Sequence, residues 1–229
     1  YDWGFCQIQY NYLDENNQAG RSGFEYASSK GMPVMIMEPL RGGKLVNNLP
    51  PKVSEIWENA SVKRSAAEWA FRWLWNQQGV TTVLSGMNSM DILKENIAAA
   101  SDTVGYEFSQ EDVKMYEQVK EILNSIIKVP CTGCNYCMPC PAGVDIPVCF
   151  SCYNDIGIEG KRGARLKYIM QTTLKKKPSN ASMCKQCGKC EKHCPQNIKI
   201  MQELKNVSKS MEGLAYRPIR FVAKHFMKL

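Results

Sequence analysis

The chain has 229 residues, 44% of them hydrophobic and 22% charged, a globular composition that excludes a disordered or fibrous chain. No run reaches the roughly 18 apolar residues that a membrane span requires, and no secretory leader is visible. The formal charge of +7 is unevenly spread: residues 1–130 carry 12 basic and 16 acidic side chains, and residues 131–229 carry 17 and 6. Ten of the 11 cysteines lie between 131 and 194. Both shifts place a boundary just before Cys131. A basic half can mark a nucleic-acid partner, but no recognition motif accompanies it, so none is expected.

In chain order, "FCQIQYN" (5–11) reads as a strand, followed by a polar helical stretch that ends at Gly31. "PVMIMEP" (33–39) lacks alternation, which predicts a parallel strand buried on both faces. "SAAEWAFRWLW" (65–75) opens on Ser65 with Glu68 three residues later, a capping box, and Trp69 and Trp73 mark its core face. After Gly79, "VTTVLSG" (80–86) predicts another buried strand, and "MDILKENIAAA" (90–100) a helix with Asp91 in its first turn. Repeated strand–helix units imply a parallel sheet or a (β/α) barrel. A closed barrel needs eight strands, and the chain opens on Tyr1 rather than Met. The expectation is that the N-terminal part of a larger domain is missing.

"QIQYN", "MEPLRGG" and "VLSGMNSMDILKEN" resemble the last three βα units of an aldo/keto reductase barrel, in particular the branch with an iron–sulfur tail. The resemblance spans about residues 5–100. It implies that Gln7 touches the nicotinamide of NAD(P)H in the complete protein. It implies too that Glu95 and Asn96 hold the adenine. Met37 stands where many members stack an aromatic ring, and Gly86, Met87 and Ile92 replace residues that grip a 2′-phosphate, so no preference for NADPH is implied. The family's catalytic Asp, Tyr, Lys and His belong to earlier strands, and no catalytic residue is assigned here.

"SQEDVKMYEQVKEILNSII" (109–127) predicts a helix capped by Ser109 and Asp112, with an apolar stripe of Val113, Tyr116, Val119, Ile122, Leu123 and Ile126. It delivers the chain to "CTGCNYCMPCP" (131–141); "CKQCGKCEKHCP" (184–195) follows later. Disulfides fit poorly beside a segment of cytosolic character. Zinc takes two thiolates from each C-x2-C knuckle, whereas each run offers four. The second run matches C-x2-C-x2-C-x3-C-P, whose last cysteine ligates the other cluster in two-cluster ferredoxins. The spacing therefore points to two [4Fe–4S] clusters. One takes Cys131, Cys134, Cys137 and Cys194, and the other takes Cys184, Cys187, Cys190 and Cys140. The first run is one residue shorter before its last cysteine, a difference assigned to the turn at Met138-Pro139.

Between and after the runs, "GARLKYIMQTTLKKK" (163–177) predicts a helix with Leu166, Ile169, Met170 and Leu174 on its packed face, and "IMQELKNVSKSM" (200–211) predicts another, ended by Gly213. Helices around the clusters make this part similar to the α-helical ferredoxins. Cys149 and Cys152 form a further C-x2-C, read as core residues because eight ligands are already supplied. Cys6 reads as a buried strand residue, and His193 as a neighbour of the cluster or a solvated side chain. "IRFVAKHFMKL" (219–229), with His225, reads as a basic amphipathic helix.

The expected fold is α/β and then mostly α: residues 1–104 as the C-terminal part of an incomplete (β/α)8 barrel, 105–130 as a connecting helix, and 131–229 as an α-helical two-cluster ferredoxin domain. The expected function is that of a cytoplasmic iron–sulfur oxidoreductase. It would pass single electrons to a partner protein or a second redox centre. The alternative is a non-enzymatic electron-transfer module that uses the barrel remnant as a dock.

Overall fold

The structure is a computed structural model that describes residues 2–102, 107–213 and 216. It comprises two compact units, Tyr1–Asn124 and Ser125–Leu229. The first unit is built on a parallel sheet of β1 (Cys6–Gln9), β2 (Val34–Met37) and β3 (Val80–Val83), in that order. Parallel neighbours need long crossovers. Here α1 (Gly20–Ser29) joins β1 to β2, and α2 (Pro51–Glu58) and α3 (Ala66–Trp75) join β2 to β3. The helices α4 (Met90–Ser101) and α5 (Gln110–Ile126) follow.

The sheet departs from the expected burial on both faces. Val34 and Ile36 of β2, which packs against α1, are fully buried, whereas Met35 and Met37 are half-buried and Thr81 and Thr82 are exposed. Cys6, expected to be buried, is only half-buried. The helices cover one face only. An apolar run says that a strand is greasy on both sides, not that both sides have a covering layer. At the register shift between Val34 and Met35, the Thr81 hydroxyl accepts from the Val34 amide at 3.1 Å.

The core under the sheet is aromatic. Tyr10 stacks on Phe24 at 5.3 Å and Trp57 on Trp69 at 5.2 Å. Ser65 caps α3 by accepting from Glu68 N at 3.1 Å, but the Glu68 carboxylate turns to buried Arg72 (2.7 Å). In α5 the box is reciprocal: Asp112 N donates to Ser109 Oγ at 3.0 Å, and Ser109 N donates to Asp112 Oδ2 at 2.9 Å. The Tyr116 hydroxyl donates to the Trp69 carbonyl at 2.7 Å and sets the rotation of α5. Met115, Tyr116, Val119 and Leu123 are buried in consequence, and Val113, expected in the stripe, is 48% exposed.

The second unit is helical: α6 (Ile146–Asn154), α7 (Ile156–Tyr168), a π-turn through Thr173, and α8 (Ile200–Met211). Ile146, Phe150, Tyr168, Ile200, Leu204 and Val207 are its core, together with Cys149 and Cys152. The expected helix over 163–177 begins earlier, breaks helical geometry at Gly160 (φ 74°), and closes in the π-turn. Its packed face also differs from expectation. Leu166 and Met170 are exposed, and Ala164, Tyr168, Ile169, Thr172 and Thr173 are buried. The Thr172 hydroxyl donates to the Tyr168 carbonyl at 2.7 Å. That bond removes the cost of burying a polar residue and lets a face with two threonines pack. The segment 219–229 and His225 lie outside the described residues.

Candidate functional site

The two cysteine runs share one backbone course. Counting from the first cysteine of each, the second and fourth residues on have positive φ: Gly133 (79°) and Asn135 (66°) in one run, Gln186 (55°) and Gly188 (73°) in the other. The third residue after each Cys-Pro cysteine does likewise, Gly143 (77°) and Asn197 (52°). In each run the backbone amide of this residue donates to that cysteine's carbonyl, at 2.9 and 3.1 Å. Six residues after each Cys-Pro cysteine a helix begins, α6 at Ile146 and α8 at Ile200, and both isoleucines are buried. Left-handed residues reverse the chain without a side-chain penalty where glycine or asparagine stands. Repeated reversals return successive cysteines to one side. The runs differ where the sequence does: a 3-10 turn, Glu191–His193, carries the extra residue of the second run, and the shorter run has a cis peptide at Met138-Pro139.

This course collects thiols from both runs. Cys131, Cys134 and Cys137 line one cavity with Cys194, against an apolar wall that includes Ile146, Phe150, Ile198 and Ile200. A single zinc would draw all four sulfurs to about 2.3 Å from one point. Thiols spread around an apolar cavity fit a larger inorganic core with thiolate corners. Burial first, then the neighbouring Cys131, pushes the Cys137 thiol up to about 12. Loading metal there must displace a proton.

The second set is less gathered. Cys184 lines a groove with Gln186, Leu204 and Lys205, and Cys140, Cys187 and Cys190 lie outside that groove. Cys140, Cys184 and Cys190 are half-buried against the core of this unit, and Cys187 is exposed. The turn after Cys140 does approach the second run: a Cβ on Gly143 would sit 3.4 Å from Met183 Cε. The loop before Cys184 is held by Glu212 at the end of α8. This carboxylate accepts from Tyr168 Oη at 2.6 Å, from Ser182 N at 3.0 Å and from Asn180 Nδ2 at 3.3 Å. Tyr168 Oη in turn accepts from Ala181 N at 2.8 Å. Burial first, then the Cys149 and Glu212 charges, holds the Tyr168 hydroxyl far above its ordinary range, so it stays a donor.

Cys149 and Cys152 are fully buried in α6. Their thiols face the Ser179 carbonyl at 3.7 Å and Gln171 Oε1 at 3.4 Å. Burial pushes Cys152 up to about 11, and Cys149 is raised further. His193 is exposed.

In the first unit, a cavity of about 550 Å³ opens at the C-terminal ends of β2 and β3. That is where ligands bind in parallel α/β sheets, and the size suits a small molecule. Glu95 and Asn96 both line it, with Glu38, Asn47, Ser85 and Asn88. Asn96 Nδ2 donates to Ser85 Oγ at 3.0 Å. Gln7 is not among the lining residues; it is exposed on β1, opposite Met35 in register. The lining includes two carboxylates and no Lys or Arg.

Residues 1–121 match the model of the aldo/keto reductase family. The chain belongs to the aldo/keto reductase family. Residues 130–199 match the 4Fe-4S dicluster domain, so an iron–sulfur-binding segment follows the segment that matches the reductase family. Two solved structures of one protein are similar to it. The apo form of aldo-keto reductase AKR11C1 from Bacillus halodurans is 19% identical, with a TM-score of 0.40, over 52% of this chain and 44% of that one. Its holo form is 20% identical, with a TM-score of 0.38, over 49% and 41%. The chain thus spans less than half the length of these structures. None of the curated proteins matches it. Among the described residues no helix is long and apolar enough to cross a membrane.

Proposed function

We propose that this aldo/keto reductase family chain passes single electrons through two [4Fe–4S] clusters. The clusters would link a nicotinamide cofactor at the sheet to a partner protein or second redox centre in the cytoplasm. The reading takes residues 1–104 as the last three units of a (β/α)8 barrel, 105–130 as a connector, and 131–229 as an α-helical ferredoxin domain. The observation that carries it is the cavity that gathers Cys131, Cys134 and Cys137 with Cys194 of the other run. By the repeat in backbone course, Cys184, Cys187 and Cys190 pair with Cys140. Such clusters, when bound, supply the one-electron transfer that no side chain offers.

At the sheet, Glu95 and Asn96 are assigned to the adenosine end of the cofactor and Gln7 to the nicotinamide. Two carboxylates and no cation in the cavity suit the ribose hydroxyls of NADH and repel a 2′-phosphate.

Paired substitutions test the crossed assignment. Cys131→Ser/Cys194→Ser removes two ligands of one cluster and should leave about four of eight irons, and Cys184→Ser/Cys194→Ser removes one from each and should leave almost none. The reverse pattern means that each run holds its own cluster.

A further inference from the structure

The two runs are alike in backbone and opposite in surface. From Cys131 to Val144 there is no charged residue, and Tyr136 is 68% exposed. Between Cys184 and Cys194 stand Lys185, Lys189 and Lys192, all exposed. Lys199, Lys205 and Lys209, from the start and side of α8, are exposed too. Among the described residues none of these six lysines enters an ion pair. The nearby acids are already engaged. Glu191 Oε1 accepts from Met201 N at 2.9 Å, Glu203 Oε2 from Asn206 Nδ2 at 3.1 Å, and Glu212 holds the loop before Cys184.

Solvated lysines are ordinary when both signs are interspersed. Here six lysines against three carboxylates, Glu191, Glu203 and Glu212, leave an excess of positive charge around one sulfur-bearing turn. The groove that contains Cys184 is flanked by Lys205 and Lys209, and Cys187 is exposed. A net positive field at an exposed redox ligand steers an oppositely charged partner to the place where transfer occurs.

We propose that this lysine-rich face, which carries the groove at Cys184, is the docking site for an acidic one-electron carrier protein. Electrons then enter or leave through the cluster of Cys184, Cys187, Cys190 and Cys140, not through the neutral end at Tyr136. The proposal rests on the two-cluster reading above. In the step, the reduced carrier loses one electron and the oxidised cluster gains it, or the reverse. No bond forms or breaks, and no proton need move.

The test uses the reconstituted full chain and a reduced flavodoxin of strongly negative net charge as probe, mixed in a stopped-flow apparatus. The transfer rate should fall about tenfold or more as salt rises from millimolar to molar levels. The variant Lys185→Gln/Lys189→Gln/Lys205→Gln/Lys209→Gln should keep its iron and lose about tenfold or more of the low-salt rate. A control quartet that removes the same charge elsewhere, Lys52→Gln/Lys114→Gln/Lys161→Gln/Lys176→Gln, should stay within about twofold. The same four docking lysines changed to Arg should keep the rate. If the Gln quartet loses iron, Lys205→Gln/Lys209→Gln, outside the cysteine run, decides instead. Equal losses in both quartets, a rate indifferent to salt, or binding of a DNA duplex or anionic vesicle that the docking quartet abolishes without slowing transfer would overturn the proposal. A chain that takes up no iron–sulfur overturns the two-cluster reading as well, whereas a fully loaded docking variant that transfers at the original rate overturns the docking face alone.

Discussion

Removing the Glu212 carboxylate should loosen the second cysteine run from its upstream side. Glu212 accepts from Tyr168 Oη, Ser182 N and Asn180 Nδ2 at 2.6, 3.0 and 3.3 Å. A hydrogen bond to a charged group contributes about 1.5–3 kcal/mol, but the carboxylate is only half-buried and water replaces part of what Ala removes. The long Asn180 contact adds little. Glu212→Ala should therefore cost the 179–184 loop about 3 kcal/mol of local stability, roughly a hundredfold or more in its opening equilibrium. Glu212→Gln keeps one carbonyl oxygen for Tyr168 and Ser182 and sets its amide against that of Asn180, for a cost of about 1 kcal/mol. Hydrogen exchange of the cluster-loaded protein, read by mass spectrometry, checks both. The peptide containing Ala181 and Ser182 should exchange about a hundredfold faster in Glu212→Ala and about fivefold faster in Glu212→Gln, and peptides from β2 should not change. Unchanged exchange in that loop would falsify the anchoring role. Acceleration spread evenly over α6 and α8 would mean that Glu212 supports the whole unit instead.

Gly157→Ala would place its Cβ 2.5 Å from Ile126 Cβ and 3.1 Å from the Ile126 backbone. Overpacking of about 1–3 kcal/mol should outweigh the helix-propensity gain of about 1 kcal/mol, so the melting temperature of the unit falls; Ile126→Ala in the same chain should not restore it, because alanine keeps the Cβ that is struck. Cys149 and Cys152 should resist iodoacetamide at pH 8 in the folded protein: with Cys152 pushed up to about 11 by burial, only about one thiol in a thousand is ionised there. Raising the pH toward 11 should speed labelling of Cys152. Cys149→Ala and Cys152→Ala should each leave the iron content intact; loss of about four irons in either would mean that one of them is a ligand. In calorimetry on the complete reductase, NADH should bind about tenfold or more tightly than NADPH, because two carboxylates and no cation line the cavity. Tighter NADPH binding would place a cation there that the cavity does not show.

The reductase segment was readable because βα units repeat and caps are local: Ser65 and Ser109 lie within three residues of the amides they accept from. The cysteine runs were readable for the same reason, since a C-x2-C rhythm is a local rule. The repeat that follows each run was also open to reading: Gly133 and Asn135, Gly188, and Gly143 and Asn197 stand at matching turns. Gln186 hid one of them, because glutamine rarely marks a left-handed residue. What sequence periodicity did not reveal was which face meets a partner. Ile169 and Leu174 do meet the core, but Leu166 and Met170, just as apolar, do not: Tyr168 and Thr172 satisfy their polar groups inward and take the packed side. Met35 and Thr82 face away from the helices for a similar reason: a strand's alternation does not reveal how many layers cover it. Glu95 and Asn96 share a cavity because they follow one another at its rim on α4. Gln7 depends on register across two strands, and it falls outside.

The central claim is that eight thiols hold two cubanes. Its most direct measurement is the iron and acid-labile sulfide content of anaerobically purified chain. About eight irons and eight sulfides per chain are predicted. One or two equivalents of zinc with no acid-labile sulfide would contradict it.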